Sequence, residues 1–399
     1  MSCAQAVETE TVASGLRKKC PACGGRDLLP SVTFEALPVL CNALHASAAS
    51  ARAAATGRFQ AAFCRNCTHF FNAAFEEERI GYTQSYENSL HFSSRFVAFV
   101  EDLTQRLSRT YALAGKTAID VGCGKGDFLK RLCASCGAMG VGFDKSFEED
   151  RGAAVSGVRF VNDWFGEAYA DLRPDFLSCR HVIEHIAEPL AFLQALRGHP
   201  GIRPETVFYF EVPNALYTLR DLGIWDLIYE HVSYFTGQSL RTAVEVAGFE
   251  VLNAGTSFGD QYLFVEARPG AKRLPTEAAD TCEIEMLARK FERAHRDKIA
   301  HWQDCLARRD PEKTVIWGAG SKGITFVNVV PLGARVAALV DVNTHKQGRF
   351  APGTGTPVLA PEALCGRSVD TIVAMNPLYR HEIAGIAAAL GVDAEIVVA

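Results

Sequence analysis

The 399-residue sequence has no run of about 18 uncharged apolar residues, so no membrane-spanning helix is expected. Its opening residues lack a basic start followed by an apolar block. That argues against a secretory signal, and the expectation is a cytoplasmic protein with no membrane attachment. Positive charge is not in excess either: 41 basic against 46 acidic side chains give a net −5. The field of the whole chain therefore does not favour nucleic acid, and an anionic small-molecule substrate would have to be held by a local site. A disulfide framework is also missing, because the 13 cysteines are odd in number and spread over a long chain. With 48% hydrophobic and 22% charged residues, disorder and collagen-like repetition are excluded.

What is there is enough for several domains, since one domain usually runs to about 100–200 residues. From Lys116 onward, short apolar runs alternate with amphipathic stretches: strands are expected at 117–121, 138–144, from 176, and at 206–213. Such strand-then-helix alternation indicates a parallel sheet of βαβ units. The periodicity stops near Arg268. The charged stretch from Glu277 to Arg309 has the apolar spacing of one helix, and a second βαβ pattern follows with strands at 314–317, 336–341 and 369–374. The alanine-rich stretch 43–57 is expected to be an insert or helix inside the first unit.

Cys20 and Cys23, then Cys64 and Cys67, form two CxxC pairs. Two residues between ligands let one turn aim both sulfurs at a single ion, so four thiolates can close a tetrahedral structural zinc site. Cys41, His45 and His69 are possible substitute ligands, and redox or packing turns are the alternative. A third pair, Cys133 and Cys136, falls on an expected helix, where packing is the expected role.

Asp120, Gly122, Gly124 and Gly126 lie directly after an expected strand and before an expected helix. Glycine is needed where backbone must approach a ligand closely in a positive-φ conformation. The GxGxG spacing with an acidic residue at its head differs from the dinucleotide GxGxxG. Asp144, eighteen residues beyond Gly126, ends the next strand, from which a carboxylate accepts both ribose hydroxyls. This pattern resembles class I S-adenosylmethionine-dependent methyltransferases. The resemblance implies that Asp120, Gly122, Gly124 and Gly126 hold the methionine end, that Asp144 holds the ribose, and that Asp163 and Trp164 form the adenine-contacting turn.

Tyr229, Glu230, His231 and Tyr234 then gather proton-handling groups at the carboxyl edge of the sheet. Taken with the cysteine-rich unit and the final unit (Gly318, Gly320, Lys322 and Gly323, then Asp341, Lys346, Gly348 and Arg349), the whole order resembles the C-methyltransferases of branched deoxysugar biosynthesis. Those enzymes methylate C3 of nucleotide-linked ketosugars. The resemblance implies an α/β protein: a Rossmann-like methyltransferase core (81–268) with a small N-terminal zinc-binding domain (1–80), a helical connector (269–310) and a second, C-terminal Rossmann-like domain (311–399). It also implies a His-Glu pair beside the sugar, matched by His231 and Glu230, with tyrosines Tyr229 and Tyr86 nearby. Two departures stand out. The family usually reads Tyr-His-Glu-His where this chain has Tyr229, Glu230, His231, and it carries a His-Gly-Gly-Ser-Leu-Arg-like stretch where this chain has residues 258–264.

Methylation at carbon requires a carbon nucleophile, and a carbon beside a ketone becomes one on losing a proton. Histidine suits that task. His231 is therefore the expected base, with Glu230 orienting it and Tyr229 or Tyr86 donating to the enolate oxygen. The rivals are methylation of another small metabolite at O, N or C, a non-catalytic cofactor-binding assembly protein, and a NAD-linked oxidoreductase. The last is suggested by the GxGxxG of the final unit with Asp341 eighteen residues beyond Gly323. The resemblance instead implies a substrate-holding or scaffolding role for that unit, in which its loop amides with Lys322, Lys346 or Arg349 are candidates for holding a phosphate-bearing substrate.

Overall fold

The computed structural model describes residues 16–81, 85–149, 154–272 and 281–399. The N-terminal strands β1 (Leu28–Pro38), β2 (Thr56–Cys64) and β3 (Phe70–Asn72) pair antiparallel. Between β1 and β2 the alanine-rich stretch contributes a short helix, Ala48–Arg52, capped by the Ser47 side chain, which accepts from the Ser50 amide.

The central unit holds β4 (Thr117–Val121), β5 (Met139–Phe143), β6 (Val158–Val161), β7 (Phe176–Arg180) and β8 (Val207–Pro213). Farther along come β9 (Ser233–Tyr234), β10 (Phe249–Ser257) and β11 (Tyr262–Pro269). The seven-stranded sheet runs β10-β11-β8-β7-β4-β5-β6, parallel except for the reversed β11. Strands β4, β7 and β8 are nearly continuous buried apolar runs, as a sheet covered on both faces requires. Chain order reverses between β4 and β7, the switch point where doubly wound sheets open a crevice at their carboxyl ends.

β9 does not join that sheet. It pairs with β3, Phe70 opposite Tyr234 and Phe71 opposite Ser233, so the segment after β8 crosses over to complete the N-terminal sheet. The cause is packing: Tyr229 and Tyr234 are fully buried in one apolar cluster with Phe59, Phe63 and Phe70.

The connector is one helix, Thr281–Ala307, with positions 277–280 of the expected stretch lying outside the described residues. Its apolar stripe reaches both flanking units. Phe291 meets Phe70, and Trp302 meets Phe326 of the last unit edge-on at 5.3 Å. The C-terminal unit is a five-stranded parallel sheet of β12 (Thr314–Trp317), β13 (Ala338–Val340), β14 (Val358–Leu359), β15 (Thr371–Ala374) and β16 (Glu395–Val398), in the order β14-β13-β12-β15-β16. The protein is thus an α/β fold with two Rossmann-like sheets. No helix among the described residues is long and apolar enough to cross a membrane.

Candidate active site

One cavity of about 890 Å³ is lined by residues of the central unit, the linker before it and the C-terminal unit. That is near the upper end for small-molecule sites and leaves room for two ligands side by side.

On the central side, Gly122 (φ 71°) and Gly124 (φ 54°) line the cavity. A Cβ at Gly122 would fall 2.2 Å from Val182, so backbone alone can pass there. The Gly124 amide donates to Asp144 Oδ2 at 2.8 Å, while Ser146 donates to Oδ1 through both its amide and its hydroxyl at 2.7 Å. The strand-end carboxylate is thereby held against the loop. Asp120 is buried, receives the Ser178 hydroxyl at 2.7 Å, and is pushed up by burial to a pKa of about 7. An incoming ammonium would restore its charge. Lys125, also buried, ties the loop to the stretch after β5 by donating to the Ser146 carbonyl at 2.9 Å and to Glu148 at 2.6 Å.

Two of the expected cofactor contacts lie elsewhere. Gly126 begins the helix Asp127–Cys136, and a Cβ there would strike the Phe160 ring at 2.4 Å, so this glycine serves helix-on-strand packing. Asp163 turns away from the cavity, pairs with Lys145 at 2.8 Å and accepts from Tyr169 at 3.0 Å. Those partners, Lys145 first, hold its carboxyl at a pKa of about 2. Trp164 does line the cavity and is 63% exposed.

The proton-handling residues also sort themselves differently from expectation. His231 lines the cavity, and its Nδ1 is buried without a hydrogen-bond partner. Burial first, then the neighbouring His185, His181 and Lys322, drives its pKa well below the usual histidine value. Its ring meets that of His185 edge-on at 4.7 Å. Glu230 does not orient His231. Its fully buried carboxylate accepts from Tyr86 Oη at 2.6 Å and from the Cys41 amide at 2.9 Å, so the residue it orients is Tyr86. Tyr86 lines the cavity and Tyr229 does not. The Tyr229 hydroxyl accepts from the Glu76 amide at 3.0 Å, and its ring closes over Gly57, where a Cβ would come within 2.2 Å. Counted back from the Glu-His pair, the family's tyrosine falls on Ile228, which lines the cavity in its place.

The sequence reading overlooked Arg180, at the end of β7, and His181, Glu184 and His185 in the segment after it, all of which line the cavity. Its signal was available: charged residues crowd behind a buried strand at the carboxyl edge of a parallel sheet. Arg180 is bidentate on the buried Glu211 at 2.6 and 2.9 Å. Burial would raise Glu211, but Arg180, His181 and Tyr209 win and hold it at about 2. His181, in left-handed backbone (φ 54°), stands between Glu211 at 3.2 Å and Glu184 at 3.5 Å. Burial opposes its protonation, yet the two carboxylates raise its pKa to about 9, leaving an imidazolium at the cavity wall. The His185 Nδ1 lies 3.1 Å from the Glu230 carbonyl.

The C-terminal unit repeats the loop device. Asp341 accepts from the Ala319 amide at 2.7 Å and from the Asn343 amide at 2.8 Å. Lys322 is paired with Asp226, and buried Lys346 donates to Asn42 at 3.3 Å and to the Ala319 carbonyl at 3.2 Å. Both lysines line the cavity and Arg349 does not.

In the N-terminal unit, Cys20, Cys23, Cys64 and Cys67 bring their sulfurs within 4.8 Å of one another, with Cys20–Cys67 and Cys23–Cys64 each at 3.7 Å. Zinc–sulfur bonds of about 2.3 Å give a tetrahedral edge of about 3.8 Å, so the four thiols are spaced as corners for such an ion. Cys41 and His69 are buried elsewhere, beside Glu230 and against Phe71 and Phe235. Cys133 is buried in helix packing under Gly140.

Residues 91–254 match the methyltransferase domain family, and residues 276–398 match the C-methyltransferase C-terminal domain family. The chain is similar to the C-methyltransferase NovU of Streptomyces niveus, with 26% identity over 196 residues, 46% of this chain and 47% of that one. It is also similar to the ubiquinone biosynthesis O-methyltransferase of Paraburkholderia xenovorans, 36% identical over 93 residues, 21% of this chain and 40% of that one. The matched stretches thus span less than half of each of these relatives. Among solved structures, the 1,6-didemethyltoxoflavin-N1-methyltransferase of Burkholderia thailandensis with bound S-adenosylhomocysteine aligns at 16% identity, covering 44% of this chain and 81% of that one, TM-score 0.33. The magnesium protoporphyrin IX methyltransferase of Synechocystis aligns at 17%, covering 44% and 84%, TM-score 0.34.

Proposed function

We propose that the chain, with its methyltransferase domain and C-methyltransferase C-terminal domain matches, is a class I S-adenosylmethionine-dependent methyltransferase that methylates a carbon beside the ketone of a nucleotide-linked sugar. The observation that carries the proposal is His231, a neutral histidine with an unpartnered nitrogen, facing the same cavity as the glycine loop.

When bound, S-adenosylmethionine supplies an electrophilic methyl group. Gly122 and Gly124 would hold its methionine end, Asp120 would take the ammonium, and Asp144 would accept from the ribose. His231 takes the proton from the carbon next to the acceptor ketone. Burial lowers its pKa, which leaves the imidazole neutral and able to accept a proton, though as a weaker base than a free histidine. Tyr86, held by Glu230, lines the cavity and would donate to the developing enolate oxygen. Cys20, Cys23, Cys64 and Cys67 would hold a structural zinc ion, which with four thiolates keeps no open position for chemistry. The similarity to the C-methyltransferase NovU supports transfer to carbon, and the second Rossmann-like unit facing the cavity supports a nucleotide-linked acceptor.

Isotopically labelled S-adenosylmethionine incubated with nucleotide-linked ketosugars, followed by mass spectrometry, tests this. A label on the carbon beside the ketone is expected, and a label on oxygen or nitrogen would overturn the assignment. Apolar Ile228 at the cavity, together with the likeness to O-methyltransferases, favours a less polar metabolite as the second reading, and the same product analysis separates the two.

A further inference from the structure

The turn between β10 and β11, one of the two places where this chain departs from the sugar enzymes, is joined to the C-terminal unit. Phe258, Gly259 and Asp260 follow one another in left-handed backbone (φ 48°, 62° and 62°), a conformation that non-glycine residues adopt only when neighbours enforce it. Neighbours do: Phe258 stacks on Tyr262 at 5.2 Å, and Gly259 seats against Leu378, which a Cβ would approach to 2.9 Å.

This geometry delivers Gln261 to Asn376, at the carboxyl end of β15. Gln261 Nε2 donates to Asn376 Oδ1 at 2.9 Å, and Asn376 Nδ2 donates to Gln261 Oε1 at 2.8 Å. The Leu378 amide also donates to Asn376 Oδ1, at 3.0 Å. A backbone N–H needs an oxygen there, so the Asn376 carboxamide has one possible orientation, and the reciprocal pairing then fixes that of Gln261. Each carboxamide carries two N–H donors, and the ring of two bonds uses one from each. One donor per side chain is left over. Both residues are almost fully buried, at 5% and 7% exposure, yet both line the cavity. A buried donor without a partner is costly, so a ligand oxygen is the natural complement.

We propose that the Gln261–Asn376 pair determines acceptor specificity, its two remaining N–H groups holding oxygen substituents of the acceptor ring. The proposal rests on the keto-sugar reading above and names the residues that read the sugar. The carboxyl end of the C-terminal parallel sheet, where Asn376 sits, is where such sheets take ligands. The glycine loop that takes the methyl donor belongs to the other sheet. The pair also spans the two units, so a ring held there would be gripped from both.

The test pairs two enzymes with two acceptors: wild type and the double variant Gln261→Met with Asn376→Leu, each assayed with a nucleotide-linked ketosugar and with its analogue lacking one ring hydroxyl. Replacing both partners by apolar groups of similar size avoids leaving one amide stranded. Wild type should favour the hydroxylated acceptor by about tenfold or more in kcat/KM, and the double variant should lose that preference through a raised KM. S-adenosylhomocysteine affinity, measured by calorimetry, should be unchanged, which also reports that the core is folded. A variant that binds S-adenosylhomocysteine normally and keeps the wild-type preference would overturn the proposal and leave the functional reading standing. A wild type that methylates neither acceptor would overturn the functional reading and the specificity assignment with it.

Discussion

Replacing Tyr229 with phenylalanine separates the role that the sequence suggests from the one that the structure gives it. The hydroxyl accepts one hydrogen bond, from the Glu76 amide at 3.0 Å, and the ring packs against Phe75 at 5.6 Å and over Gly57. Phenylalanine keeps all the ring contacts. The loss is that bond and a longer donation to the Glu76 carbonyl at 3.5 Å, together about 1 kcal/mol, and because Glu76 is exposed its backbone can turn to water instead. For a chain of this size that corresponds to a fall of about 1 °C in Tm. The ring does not line the cavity, so kcat should stay within about twofold of wild type, a change of about 0.4 kcal/mol in the barrier. Tyr86→Phe should behave in the opposite way. It strips a 2.6 Å donor from the buried Glu230 carboxylate, a charge-assisted bond of about 1.5–3 kcal/mol, and kcat should fall about tenfold or more. Thermal unfolding and turnover of labelled methyl donor, measured on both variants, decide it. A tenfold loss of kcat in Tyr229→Phe with Tm unmoved would refute the placement of Tyr229 outside the chemistry.

Other consequences are open to simpler measurements. The purified protein should carry one zinc ion by atomic emission, and a strong chelator or Cys67→Ala should melt the N-terminal sheet, seen as a lower first transition in calorimetry; a metal-free protein of undiminished stability would exclude the site. Gly122→Ala forces a Cβ to 2.2 Å from Val182 in positive-φ backbone, and should weaken S-adenosylhomocysteine binding by at least about tenfold, or about 1.4 kcal/mol. Burial lowers the pKa of His91 and of His295 to about 4. Their unfolded forms titrate near 6.5, so below that pH the unfolded chain takes up protons that the native state refuses. The stability they contribute is complete above about pH 6.5 and should fall by up to about 1.4 kcal/mol per pH unit for each histidine as pH drops toward 4. Urea midpoints at pH 7, 6 and 5 test the sign, and His295→Leu should reduce the slope by up to about 1.4 kcal/mol per pH unit.

Wherever local chemistry demanded one residue type, the fold could be read from the sequence. The apolar runs at 117–121, 176–180 and 207–213 had to be buried strands, and Gly122 and Gly124 had to be a loop, Gly122 because a Cβ would strike Val182 and both because their φ is positive. The four cysteines met as their spacing required. Residues whose meaning depends on register were not legible in the same way. Tyr229 and Ile228 are adjacent in a segment with no regular period, and which of them faces the cavity is settled by β9 pairing with β3, a contact between positions some 160 residues apart by the numbering of Phe70 and Tyr234.

The same physics explains why Glu230 was assigned the wrong partner. A carboxylate next to a histidine in sequence looks like its orienter, but neighbouring side chains outside a helix commonly diverge. The backbone at 228–231 is fixed from two sides: Tyr234 Oη is hydrogen-bonded to the Ile228 amide at 3.0 Å, and the Glu230 carbonyl meets His185 Nδ1 at 3.1 Å. The Glu230 side chain lies in a buried niche, its Oε2 3.9 Å from the same His185 Nδ1, where an unpaired charge would be untenable. The Cys41 amide from the N-terminal unit and the Tyr86 hydroxyl from the linker fill that niche. The position of Tyr86 at the cavity therefore depends on the N-terminal sheet being folded. If the four distant cysteines hold a metal ion, they acquire a bearing on the site, because the N-terminal unit they tie together supplies the Cys41 amide that donates to Glu230.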